Sequence, residues 1–166
     1  MKHLLIALCT LPLFSNAQEC KLNKETDPYT KEVKLSTGFI HLDGGSITID
    51  ADSKDIIVLF SLEGPEKCFD NNSTAEVYFE GLKSKTLSRN QGTMNCEGFF
   101  QFVFRNTNNN PTTMLQRIMT KKITHIIFTG NGKKPVTVNV GPKEQDAIMA
   151  LATCLVNDAR GLIKPN

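Results

Sequence analysis

Asp50, Asp52 and Asp55 place three carboxylates within six residues, the density at which oxygen ligands gather around Ca²⁺. An EF-hand loop runs D-x-[DN]-x-[DN]-G with a distal Glu, and this run lacks both the third position and the glycine. A strand end followed by a turn accounts for it without a metal. Gly130-Asn131-Gly132-Lys133-Lys134 offers glycines and positive charge, as a phosphate loop does. It lacks GxxxxGK[ST] spacing, and no helix follows for a phosphate to sit on, so it reads as a hairpin turn. His41 and His125 are the imidazoles beyond the N-terminal segment. A serine or cysteine hydrolase would need one of them beside a nucleophile and an acid, and no serine stands in a GxSxG elbow. Two acids distant in sequence could still converge for glycoside hydrolysis. These residues name no catalytic, cofactor-binding or metal site.

The cysteines carry a clearer message, which depends on the N-terminus. Lys2 and His3 precede an apolar run from Leu4 to Phe14, and Ser15-Asn16-Ala17 follows with small residues at the −3 and −1 positions. That is the pattern of a cleaved export signal over residues 1–17, too short to span a bilayer, with the mature chain beginning at Gln18. Cys9 lies inside the apolar run, and Cys20 follows Glu19 instead of a small residue, so neither suits lipidation. Cleavage leaves Cys20, Cys68, Cys96 and Cys154, an even number in an exported chain and therefore two disulfides. Three connectivities are open. Cys68–Cys96 with Cys20–Cys154 is preferred, because the first pair lies in turn-rich segments flanking a hairpin and the second fastens the N-terminus to the last helix. Metal ligation is the weaker reading, since no two cysteines have CxxC spacing.

Residues 18–166 make one ordinary domain, long enough to bury a core. Eighteen basic residues against seventeen acidic ones leave the mature chain at +1, and the signs are interspersed. Nucleic-acid recognition needs clustered Lys and Arg, so no nucleic-acid partner is expected. No later segment could cross a membrane as a helix. Asn71-Asn72-Ser73-Thr74 holds two overlapping N-x-[ST] sequons and marks a surface loop.

Period-two alternation positions most of these residues. Val33, Leu35, Thr37 and Phe39 share one parity, then Ile40 and Leu42 take the other, a switch beside Gly38 that predicts a bulge or bend. Ile47, Ile49 and Ala51 alternate, and Ile56 to Leu62 is apolar on both parities, as in a strand buried on two faces. Ala75–Glu80 and Lys83–Ser88 form a hairpin about Gly81, and Phe100, Phe102 and Phe104 share one side of another strand. Asn110 as N-cap and Pro111 at the first helical position open a short helix with Met114, Leu115, Ile118 and Met119 on one side. Ile123–Thr129 and an edge-like Val136-Val138-Val140 strand follow.

From Gly141-Pro142 the period changes to that of a helix. Ile148, Leu151, Ala152, Leu155, Val156, Ala159, Leu162 and Ile163 fall in a stripe about 140° wide, with Asp146, Thr153, Asn157 and Lys164 opposite. The fold class is α+β, mostly β: a single antiparallel sheet or small sandwich of about seven strands, one short helix and an amphipathic C-terminal helix.

Glu25-Thr26-Asp27-Pro28-Tyr29-Thr30-Lys31-Glu32-Val33, just after an N-terminal cysteine, resembles the opening of short exported bacterial proteins of unassigned function. The stretch from Leu115 to Phe128 is similar to their helix-then-strand segment. The resemblance covers most of the mature chain. It implies a small secreted domain and carries over no functional residues. The expectation is an exported, soluble, disulfide-stapled module without a cofactor, secreted or periplasmic, which binds an envelope or extracellular partner. The alternative is a small secreted hydrolase whose carboxylates or histidine converge only in the fold.

Overall fold

A computed structural model describes residues 20–65, 67–105, 111–130 and 134–162. The expected export signal at residues 1–17, Asn110, the Asn131–Lys133 stretch, Ile163 and Lys164 lie outside them. The elements in chain order are β1 (Asn23–Thr26), β2 (Val33–Ser36), β3 (Ile40–Leu42), β4 (Gly45–Ala51), β5 (Asp55–Leu62), β6 (Thr74–Phe79), β7 (Thr86–Arg89), β8 (Phe99–Arg105), α1 (Thr113–Thr120), β9 (Ile123–Thr129), β10 (Val136–Asn139) and α2 (Pro142–Ala159). Of the two expected arrangements, a single sheet or a small sandwich, the strands form two antiparallel sheets. The first has the order β1-β2-β4-β5-β8 with β3 also on β4, and the second the order β10-β9-β6-β7.

Ten strands among the described residues exceed the expected count of about seven, and two of the additions have local reasons. β1 is exposed at every position, so it carries no apolar alternation to read. The expected 33–42 strand is divided at the parity switch. Leu35 pairs with Ala51 and Ser36 with Asp50, but Ile40 pairs with Ile47, so the three residues 37–39 on one side face two, 48 and 49, on the other. That one-residue surplus is a β-bulge. Gly38 adopts a φ of 70°, which a side chain would resist. The Thr37 hydroxyl accepts the Ile49 N–H at 2.9 Å and replaces part of the broken ladder. Phe39, expected on the same face as Leu35, is instead 64 % exposed, because the extra residue turns it outward.

The core lies between the sheets. Ile47, Ile49, Val58, Phe60, Phe100 and Phe102 from the first sheet and Ala75, Val77, Ile126, Phe128 and Val138 from the second are fully buried. Phe128 is the hub, with ring centroids 5.1 Å from Phe60 and 5.0 Å from Phe100, both edge-to-face. β5 was expected to be buried on two faces, yet only Ile56, Val58, Phe60 and Leu62 are. Ile57, Leu59 and Ser61 are half-buried on the outer face of the sheet.

Helix α1 starts two residues later than expected. Thr112, not Asn110, is the N-cap, and its hydroxyl accepts the Leu115 N–H at 3.4 Å. Helix α2 packs on β2, β3, β4 and α1, burying Ile148, Ala152, Leu155, Val156 and Ala159. Thr153, expected on its solvent face, is half-buried, because α1 covers that flank. Its Oγ1 donates to the Met119 carbonyl at 2.8 Å.

The outer edge of β8 would be an open template for another chain. Side-chain amides close it. Asn90 Oδ1 accepts the Gln101 N–H at 2.9 Å, Gln91 Oε1 accepts the Val103 N–H, and Asn95 both accepts from the Phe99 N–H and donates to its carbonyl. Asn90 is 2 % exposed, so its amide has no water to fall back on. Asn90→Ala deprives the Gln101 N–H of this acceptor and is expected to cost about 1–3 kcal/mol in a denaturant melt.

Candidate functional site

The bulge that turns Phe39 outward also opens a groove of about 530 Å³ across the outer face of the first sheet. Cross-strand pairing sets which side chains reach it. Asn23 sits opposite Ser36, Ser36 opposite Asp50, and Asp50 opposite Ile57, so these four lie in one row on one face. Glu25 and Lys34 form the next row, and the β4–β5 turn adds Asp52 and Asp55. Phe39 and Ile57 supply apolar surface between the charges.

The groove therefore gathers all three residues of the acidic run but does not make them a cation cage. Asp50 Oδ1 accepts the Thr48 hydroxyl at 3.2 Å. Asp52 Oδ1 accepts the N–H groups of Lys54 and Asp55 at 2.7 and 2.9 Å, capping the turn as an Asx residue does. Among the described residues, the one set of three donor atoms within 4.8 Å of one another belongs to Cys20, Cys154 and Asp158. The two sulfurs of that set are joined to each other.

The cysteines meet as Cys20 with Cys154, Cα atoms 6.0 Å apart, and Cys68 with Cys96, 3.8 Å apart. The first pair ties the chain entering β1 to helix α2. The second closes the segment that carries β6, β7 and the amides guarding β8. The sequons fall in the loop before β6, with Asn71 and Asn72 exposed.

The two histidines do not meet in a site. His41 is exposed on β3. His125 lies on the outer face of the second sheet, stacked on Tyr78 with centroids 4.2 Å apart. The Tyr78 hydroxyl donates to Glu76 Oε2 at 3.0 Å, and Lys85 Nζ donates to Glu76 Oε1. The bond from Lys85, then that from Tyr78, holds the Glu76 carboxyl below its ordinary range, and the same contact with Glu76 raises both Tyr78 and Lys85. A carboxyl depressed by folding stabilises the fold above its unfolded pKa, and that contribution is lost as pH falls through the folded value. Lys85→Gln is expected to move the Glu76 titration upward, read by carboxyl carbon NMR. An unmoved midpoint would mean that the lysine is not its main partner.

Sequence reading found the acidic run but not Phe39, Glu25 or Lys34. The parity switch at Gly38 was the signal for Phe39, since a bulge re-aims the side chain that follows it, whereas Glu25 and Lys34 arrive through the pairing of β1 with β2. Glu76 and Lys85 were legible only as members of one hairpin, in which Glu76 pairs with Leu87 and Lys85 precedes β7. No helix among the described residues is long and apolar enough to cross a membrane. Comparison with family models, curated proteins and solved structures finds no match to the chain.

Proposed function

We propose that this chain is a non-enzymatic extracytoplasmic binding or accessory module, with the groove beside the bulge as its binding surface. The observation that carries this reading is the lining: exposed Phe39 and half-buried Ile57 lie between carboxylates supplied by two separate segments of the chain, β1 and the run from the end of β4 to the start of β5. Phe39 in particular spends exposed aromatic surface where a core position was within one residue's reach. Spread charges around an apolar floor suit recognition of a ligand over several contacts. The export signal at residues 1–17, the paired cysteines and the resemblance to short exported bacterial proteins support a secreted or periplasmic setting and an envelope or extracellular partner.

The test is an amide NMR titration of the oxidised 18–166 chain with basic, acidic and neutral peptides and with oligosaccharides. Chromogenic ester, peptide and glycoside substrates are assayed in parallel. Shifts confined to residues 23–39 and 50–57, and lost in Phe39→Asp, support the reading. Turnover that disappears in Asp50→Asn or Asp55→Asn would establish the hydrolase instead. Shifts from none of the probes would remove the groove as a binding surface.

A further inference from the structure

We infer that the groove's ligand is a basic, extended peptide segment carrying arginine beside an apolar residue, an assignment that rests on the groove being the binding surface. Glu25, Asp50, Asp52 and Asp55 face it with Lys34 as the one cation, a local net charge of −3 on a chain whose total is +2. Among the described residues none of these carboxylates enters a salt bridge, the two ion pairs being Lys85–Glu76 and Lys122–Asp146. Like charges in one concavity repel, and a polycationic ligand relieves that repulsion while gaining its own attraction. Arginine suits the lining better than lysine. Its planar fork engages a carboxylate with two N–H groups, and its face stacks on an aromatic ring such as Phe39. An apolar neighbour in the ligand would cover Ile57.

The position of the carboxylates also fixes how such a segment lies. A strand added at the free edge of β1 would sit three strand spacings from Asp50 on β4, roughly 14 Å. That is beyond the reach of an arginine or lysine side chain, so edge pairing leaves Asp50 unused. The segment must instead cross the outer face over β1, β2, β4 and the β4–β5 turn, with alternate side chains pointing down into the groove. A neutral sugar would leave these carboxylates without counter-charge, and Phe39 is the one ring in the lining.

Calorimetry on the oxidised 18–166 chain with an amidated hexapeptide alternating Arg and Leu tests the inference. Binding is expected to weaken about tenfold in Asp50→Asn/Asp55→Asn. It should also weaken as salt rises from about 0.1 to about 1 M, which shortens the screening length from roughly 10 to roughly 3 Å. The same peptide with citrulline for arginine should lose most of its affinity. Lys34→Ala removes the opposing cation and is expected to tighten binding two- to threefold, a gain that a misfolded variant would not give. Equal binding of the citrulline peptide, or an unchanged affinity in the double variant, overturns the basic-peptide assignment. Oligosaccharide shifts in the same groove without peptide binding overturn it too, yet leave the groove as the binding surface. Absence of any ligand in the groove removes both.

Discussion

Replacing Cys20 and Cys154 together with serine is expected to lower the unfolding free energy by about 5 kcal/mol, the larger of the two disulfide effects. The pair spans 134 residues, and in the chain-entropy model closing so long a loop restricts the unfolded ensemble most. Cys68–Cys96 spans only 28 and is worth roughly 3.5 kcal/mol on the same basis. The first pair should have a local effect as well. All four residues of β1 are exposed, so no buried side chain holds that strand against the sheet. It is fixed by its ladder to β2 and, just upstream, by half-buried Leu22 packed against the core and by Cys20 on helix α2. Hydrogen exchange separates the two contributions. If the disulfide acts only on the unfolded chain, amide protection in the variant falls uniformly with global stability. If it also pins β1, residues 23–36 lose protection well beyond that. The second result is expected, together with weaker binding of the arginine peptide, because Asn23 and Glu25 line the groove. Unchanged stability and unchanged exchange would show that the pair is dispensable to the fold.

How far the sequence could be read depended on whether a residue's environment is set locally. Ile123–Thr129 and the Phe100–Phe104 alternation were legible because each strand presents one face to one core, which period two records directly. The hairpin of β6 and β7 and the cysteine pairs were legible for a related reason: turn chemistry and covalent arithmetic need no knowledge of distant partners. β1 was not, because Asn23-Lys24-Glu25-Thr26 is polar throughout and owes its strand state to β2 and to Cys20. The choice between a single sheet and a small sandwich was not legible either. Each strand reads the same whether its core-facing side meets a helix or a second sheet, and only contacts such as Phe60–Phe128 decide between them.

The groove shows the same limit in sharper form. Asp50, Asp52 and Asp55 stood out as neighbours in sequence, but their partners Glu25 and Lys34 arrive through strand pairing some twenty residues away. A bulge supplies Phe39, and its consequence for one side chain depends on the register on both flanks. The acidic run has the density of a metal site but not its spacing, and it reads as a strand end followed by a turn. The fold spreads it along a sheet face and a turn in that way, with Asp52 Oδ1 accepting backbone N–H groups. Thr153 failed for a different reason. Helical periodicity assigned it to the solvent face, and α1, whose position no local pattern encodes, covers that flank.

Leu155→Ala is expected to cost about 2–5 kcal/mol, whereas Asn157→Ala on the same helix should change stability by less than about 0.5 kcal/mol. Leu155 has no exposed surface, midway along the face that α2 lays on β2, β3, β4 and α1. Removing its branched end deletes buried apolar contacts and leaves a cavity that flanking Ala152 and Ala159 are too small to fill. Asn157 is exposed and touches none of that packing. A domain of this size is stable by about 5–15 kcal/mol, so the leucine change alone removes a large share of the total. Denaturant melts with the disulfides intact measure both variants, and an unchanged slope shows that the same surface unfolds. The contrast also bears on the groove. β2 and β4, which α2 supports from the core side, present Lys34, Ser36 and Asp50 on the other, so loosening the helix should relax the binding face from beneath. Leu155→Ala is therefore expected to weaken the arginine peptide modestly under native conditions, while Asn157→Ala leaves it alone. Equal small stability effects from the two substitutions would instead identify α2 as a detachable element, and its apolar stripe would replace the groove as the surface to test.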